Sequence, residues 1–362
     1  MVNVDFLSRG LRGYKSRSNL IPILISIKEI RSKNVNVKIL GNIKNLNSES
    51  GILILEDKYV SSLGLDFSSI IDGLREKYDR IIFFDTSDST GSIDSSILSS
   101  VDRYLKRQLL EDREKYLESW RESRVYTDYY RRMGSWDEEE ATVEGERDPQ
   151  VKSRSDLHKL GVYWNIGMDV QFPASGTFFN HIPEGIAARL PWTALLNFPG
   201  VWASVERRRE IDISGRFATT YDNDAIEHHR KLMAEKLSRT VDTEKVFTLS
   251  YWNELRNSKL LLSPFGWGEI CRRDFEGFMS GCLLVKPKMS HLETWPPLYE
   301  DGKTMLGVNW DMSDLNQKID WALENEGEAQ EIAREGQSAY HKYIAGDSAR
   351  ELFAERFAEI VT

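Results

Sequence analysis

The chain has 362 residues, 40% hydrophobic and 29% charged, with a formal charge of −9. That length and composition suit about two domains with real cores, and the acidic balance argues against nucleic acid as a partner, which a basic face would attract. Two cysteines, Cys271 and Cys282, make no disulfide framework, so a reducing, cytoplasmic setting is expected.

From the start, residues 1–15 mix Asp5, Arg9, Arg12 and Lys15 into apolar positions, unlike a leader. The apolar run 20–27 contains Pro22 and is too short to span a bilayer, so any membrane contact is expected from the cytoplasmic face. Residues 35–40 and 51–56 read as strands, and 68–78 as a helix. The strand 80–84 ends in the polar tip Asp85, Thr86, Ser87 and Asp88. One long charged helix is predicted from 97 to about 120. This order favours an open α/β sheet with functional loops beyond the carboxyl ends of its strands. The acidic stretch 137–148 reads as a solvated loop, and the aromatic, Gly- and Pro-rich stretch 162–202 as an inter-domain region.

The alternation then restarts. Strands are predicted at 210–214, 259–263, 282–286 and 304–308. Helices are predicted at 225–237, 252–258, 270–279 and 313–323, the last capped by Ser313. Two more helices, 329–344 and 348–361, close the sequence. The result is two α/β halves in series.

Residues 262–287 carry the densest chemistry: strand, glycine loop, helix, tight turn, strand. Gly266 and Gly268 remove side chains where phosphates approach, and the amides and dipole of the following helix favour an anion. Arg272 and Arg273 add forked cations one turn in. Glu276 shares their helical face, and a carboxylate there accepts both hydroxyls of a ribose. An exposed Arg272–Glu276 ion pair with turn glycines would give the same text without a ligand.

This stretch is similar to the donor-site motif of GT-B glycosyltransferases, of the exostosin-like and "glycosyl transferases group 1" type. The matching elements are Ser263 with Pro264, Gly266, Arg273 with Glu276 three residues on, the turn Ser280, Gly281 and Cys282, and the strand ending in Pro287. The resemblance implies an α/β GT-B fold, two Rossmann-like domains facing a central cleft. An acceptor domain would span 1–200 and a donor domain 201–345, with a helix in 346–362 packing back toward the first. It implies that Glu276 binds the donor ribose and Arg273 lies near the diphosphate. Arg272, Gly266, Gly268 and Arg216 would complete the donor site. The implied donor is a nucleoside-diphosphate sugar, with a glycan or lipid-linked acceptor, no other cofactor and no obligatory metal. Many retaining members carry a second Glu eight residues before the ribose Glu. That position is Gly268 here, which leans the reading toward inversion.

Asp85 or Asp88 would be the general base of an inverting reaction, against the plain alternative of a strand-end turn. His181, before Pro183, is another base candidate. Asp222 and Asp224 have metal-ligand spacing but precede a helix, where acidic residues cap. His228 and His229 are expected on a solvent face, as are Arg103, Lys106 and Arg107. Arg207, Arg208 and Arg209 form the densest basic run, suited to an anionic acceptor, and Tyr126, Tyr129, Tyr130 and Trp136 to stacking on sugars or to core packing. A nucleotide-sugar epimerase or hydrolase is the second reading, and a non-catalytic sugar-binding module the third.

Overall fold

Alternate residues of the early strands face two separate cores, which is why they read as continuous apolar runs. Val4, Phe6, Ile52, Ile54, Ile82 and Phe84 line one core, while Leu53, Leu55, Ile81 and Phe83 line the other. The computed structural model describes residues 1–10, 14–46, 51–64, 67–120, 124–133, 150–169, 191, 201–244 and 246–362. In the first half these form β1 (Val2–Leu7), α1 (Tyr14–Ile25), α2 (Ile27–Ser32), β2 (Val35–Leu40), β3 (Ile52–Glu56), α3 (Asp57–Ser62) and α4 (Ser68–Arg75). There follow β4 (Arg80–Asp85), α5 (Ser95–Ser100), β5 (Arg103–Lys106), β6 (Gln108–Leu110), α6 (Val125–Met133) and β7 (Leu160–Val162). Six of the strands make a parallel sheet in the order β2-β1-β3-β4-β5-β7. The order reverses between β1 and β3, and such a switch point opens a crevice beyond the strand ends.

The second half contains β8 (Ile211–Ser214), α7 (Asp224–Lys236), α8 (Thr248–Arg256), β9 (Ser258–Leu262), α9 (Arg272–Ser280) and β10 (Leu283–Pro287). It continues with β11 (Leu292–Thr294), β12 (Leu306–Val308), α10 (Leu315–Glu324) and α11 (Glu326–Ile344). Its sheet is parallel, β12-β10-β9-β8, so strands are added in chain order. Gly281 ends α9 in the left-handed region at φ 66°, a conformation glycine adopts without penalty.

Two features tie the halves together. β6 and β11 pair antiparallel across them, and one apolar cluster runs through both, including Phe84, Trp164, Leu261, Phe275 and Phe353. The last helix, α12 (Ala349–Val361), lies against α1 and α2. There Lys33 pairs with Glu351 at 2.5 Å and Glu355 at 3.2 Å. Among the described residues, no helix is long and apolar enough to cross a membrane.

The largest departure from the sequence reading is at 97–120, which is no single helix. α5 stops at Ser100, and the chain turns into β5 and β6. The charges that suggested a solvated face are buried: Lys106 is 0% and Arg107 3% exposed. Lys106 pairs with Asp85, and Arg107 donates to Tyr163 Oη and Ser18 Oγ. β1 was not expected either, because Asp5 interrupts its apolar pattern. That carboxylate is buried and accepts from Tyr78 Oη at 2.6 Å. The helix predicted from Ser313 opens two residues later, after Asp314. Trp136, the acidic stretch 137–148 and His181 lie outside the described residues.

Candidate active site

After β9 the chain runs through Ser263 to Cys271 into α9, and nearly every group along it is held. Buried Asp274 accepts from Ser263 Oγ (2.5 Å), the Cys271 amide (3.0 Å) and Tyr299 Oη (2.9 Å), with the Lys286 ammonium 3.3 Å away. The Phe265 amide donates to His229 Nε2 at 2.9 Å, and Arg230 Nε donates to the Phe265 carbonyl at 2.9 Å. Tyr126 of α6 donates to the Gly266 carbonyl at 2.5 Å. These bonds tether the loop at both ends to α6, α7 and β10.

The predicted residues fall into two groups. Glu276 and Arg273 lie on one face of α9, each with a single hydrogen bond among the described residues. Glu276 is half-buried, and its Oε2 accepts from Tyr251 Oη at 2.7 Å. Its Oε1 accepts no hydrogen bond among the described residues. Burial pushes this carboxyl up, while Tyr251 and the two arginines partly oppose that. Arg273 donates to the Arg216 carbonyl at 3.0 Å and lies over the Phe217 ring. Arg272 points elsewhere, reaching Asp169 at 3.0 Å; the same carboxylate oxygen meets Arg17 of α1 at 3.2 Å.

The others are committed to the protein itself. A Cβ on Gly268 would stand 2.0 Å from the Asp88 carbonyl oxygen, and one on Gly266 3.3 Å from Arg230. The space these glycines leave is therefore filled by protein, and Gly268 lets the two halves touch. Arg216 is spent on Glu254 at 2.8 Å and on Asp242. Asp85 is no free base: it accepts from Lys106 (2.6 Å), Tyr104 Oη (2.8 Å) and the Ser87 amide (2.7 Å). Asp88 stays on the seam between the halves, its carbonyl taking the Gln108 amide at 2.8 Å. Asn223, between Asp222 and Asp224, caps α7 through the Ile226 amide. Among the described residues, no cluster of three His, Cys, Asp or Glu could hold a metal. Arg209 is buried, donating to five backbone carbonyls that include Ser258 and Ser280, so it is a clip and not an open cation. Tyr126 and Tyr130 belong to the core.

Two parallel α/β units thus meet through the loops beyond their strand ends, and a last helix returns to the first unit. This is the GT-B arrangement. No family model matches the sequence, and no curated protein matches it. Among solved structures, the chain is similar to an α-glucosyltransferase in complex with UDP, at TM-score 0.47 and 12% identity over 100% of both chains. It is similar to an α-glucosyltransferase in complex with UDP-glucose and DNA containing an abasic site, at TM-score 0.43 and 11% identity over 100% of both chains. HepE of Anabaena in complex with UDP-glucose gives TM-score 0.43 and 11% identity over 99% of this chain and 100% of that one.

Within this GT-B frame several polar residues escaped the sequence reading. At the switch point, buried Glu56 accepts from Ser8 (2.8 Å), Ser16 (2.5 Å) and Asn19 (2.7 Å), and burial raises its carboxyl. Arg17, next to Ser16 on α1, pairs with buried Asp169 at 3.2 Å. Their only sequence signal was charge within apolar context. His229 was expected at the surface and is fully buried, flanked by the Phe265 and Tyr130 rings. Burial, with the charges of Arg230 and Lys286, lowers its pKa well below the ordinary value. Below pH ~6.5 the unfolded chain therefore takes up a proton that the folded one refuses. Stability is expected to be whole above that pH and to fall by up to ~1.4 kcal/mol per unit below it. Denaturant titrations at pH 7, 6 and 5 check this: His229→Gln, which still accepts from Phe265, should show a shallower acid loss than the parent.

Proposed function

We propose that the chain transfers a sugar from a nucleoside diphosphate to a hydroxyl acceptor. The observation that carries this is Glu276. Its carboxylate lies on α9, the helix after β9, with Oε2 held by Tyr251 and Oε1 accepting no hydrogen bond among the described residues, one turn from Arg273. A vicinal diol can bridge such a carboxylate, while Arg273 and the amide end of α9 meet a diphosphate. In the reaction the same groups stabilise charge as it builds on the departing diphosphate, so the proposal includes no obligatory metal. The transfer is inverting in this reading, with a glycan or lipid-linked alcohol as acceptor and contact with a membrane, if any, from the cytoplasmic face.

The test is a calorimetric titration with UDP, GDP, ADP and CDP, followed by incubation with the matching sugar nucleotides in EDTA. Binding of one diphosphate and release of its sugar supports a transferase, and the anomer released reports inversion or retention. A changed sugar still bound to its nucleotide would favour an epimerase. No binding by any of the four sinks both enzymatic readings. Transfer to DNA in place of glycan or lipid alcohols would correct the acceptor class alone.

A further inference from the structure

Glu269 follows Gly268 on the seam and is completely buried. Its Oε2 is satisfied from the first unit, by Thr90 Oγ1 at 2.8 Å and Gln108 Nε2 at 3.1 Å. Its Oε1 faces His291 Nε2 at 3.8 Å. Both atoms are buried, and neither has a hydrogen-bond partner among the described residues. Burial acts to raise the Glu269 carboxyl, but His291, Thr90 and the backbone outweigh it and leave it lowered. The group is therefore a carboxylate with one oxygen uncommitted, aimed at an imidazole.

The imidazole is itself well placed. Its ring stands edge-on to Trp310, centroids 4.8 Å apart. The His291 carbonyl accepts from the Glu111 amide, which anchors it beside the β6–β11 ribbon. At 3.8 Å the pair is too long for a hydrogen bond, and a shift of under an ångström closes it. Catalytic pairs are often long before substrate binds. With Nε2 turned to Glu269, the ring presents Nδ1 at its other edge. That nitrogen has no partner among the described residues, and the side chain is 13% exposed.

We propose that His291 is the base that takes the proton of the acceptor hydroxyl, with Glu269 as the positioning residue that orients the ring and balances its charge. This rests on the transferase reading above. The acceptor O–H proton moves to Nδ1 as the acceptor oxygen bonds to the anomeric carbon. The bond from that carbon to the diphosphate oxygen breaks, and its electron pair leaves on the diphosphate. The imidazolium then returns its proton to solvent. A buried carboxylate beside the ring keeps Nε2 protonated, so that Nδ1 is the lone-pair nitrogen.

The competing account makes Glu269 a rivet between the units, with His291 a bystander. Sugar release from the bound sugar nucleotide separates them, using water and sodium azide as nucleophiles; azide needs no deprotonation. For the nucleoside diphosphate that the parent binds, His291→Gln is expected to keep a dissociation constant within threefold of the parent. Its kcat toward water should fall about 100- to 10,000-fold, with azide restoring turnover. Glu269→Gln should lower kcat toward water about 10- to 100-fold at unchanged KM. Loss of turnover matched by loss of diphosphate binding in both variants would establish the rivet and overturn the dyad. So would a His291→Gln kcat within threefold of the parent. A parent that binds one of the four diphosphates yet releases the matching sugar to neither nucleophile also overturns it. A parent that binds no diphosphate removes the transferase reading itself.

Discussion

Glu276→Ala is expected to weaken binding of the preferred nucleoside diphosphate about 100-fold or more. Hydrogen bonds to a charged group contribute roughly 1.5–3 kcal/mol each, and every ~1.4 kcal/mol is a factor of ten in affinity. Two such bonds to a ribose diol, less the water they displace, give this range. Glu276→Gln keeps one acceptor and should fall between. Tyr251→Phe removes the anchor on Oε2 but leaves the charge, so its loss should be smaller, near tenfold. Folding is not the explanation if melting temperatures of the three variants stay within a few degrees. Because burial holds the Glu276 carboxyl above its ordinary value, affinity should also decline from pH 7 to pH 5 as the carboxylate protonates. That decline should be smaller in Glu276→Ala, where only protonation of the diphosphate itself remains. A dissociation constant unchanged by Glu276→Ala would mean that the diol binds elsewhere.

The second half of the fold was largely legible because its periodicities are local. The strand, loop, helix, turn and strand between Ser258 and Pro287 fall within one or two residues of expectation, since apolar runs, Gly281 and Pro287 mark their ends. The first half was legible only where strands were purely apolar. β1 and β5 carry Asp5 and Lys106, whose burial depends on partners 73 and 21 residues away, Tyr78 and Asp85. No local window contains that information. The site shows the same division. Glu276 and Arg273 could be named because helical spacing puts them on one face. Gly268 and Glu269 look like loop residues until the other unit supplies Asp88, Thr90 and Gln108. The Arg17, Asp169 and Arg272 contact likewise spans both halves, so spacing within α9 could not show that Arg272 meets Asp169.

Lys106→Met should destabilise the protein by about 3–5 kcal/mol, a large share of the ~5–15 kcal/mol that holds a typical domain folded. Lys106 is fully buried, and its ammonium meets Asp85 Oδ2, Ser87 Oγ and the Ser92 carbonyl at 2.6–2.7 Å. Removing it strands a carboxylate that Tyr104 and the Ser87 amide cannot neutralise alone. The double variant Lys106→Met with Asp85→Asn should recover much of the loss in denaturant titrations, because no charge is then left uncompensated. Burial pushes the Asp85 carboxyl up, but Lys106 and the hydrogen bonds outweigh it and hold it below the ordinary range. Its contribution is therefore present above pH ~3.9 and lost as pH falls through the lower folded value. The parent should lose more stability below pH 4 than the double variant does. The same pair decides whether Asp85 does chemistry. If Asp85 is a structural counter-ion, Asp85→Asn should lower stability by leaving the buried Lys106 ammonium without its charge partner, while the folded protein keeps donor turnover within a few-fold. A 100-fold or greater loss of kcat in a folded Asp85→Asn protein would restore it as the base and displace His291.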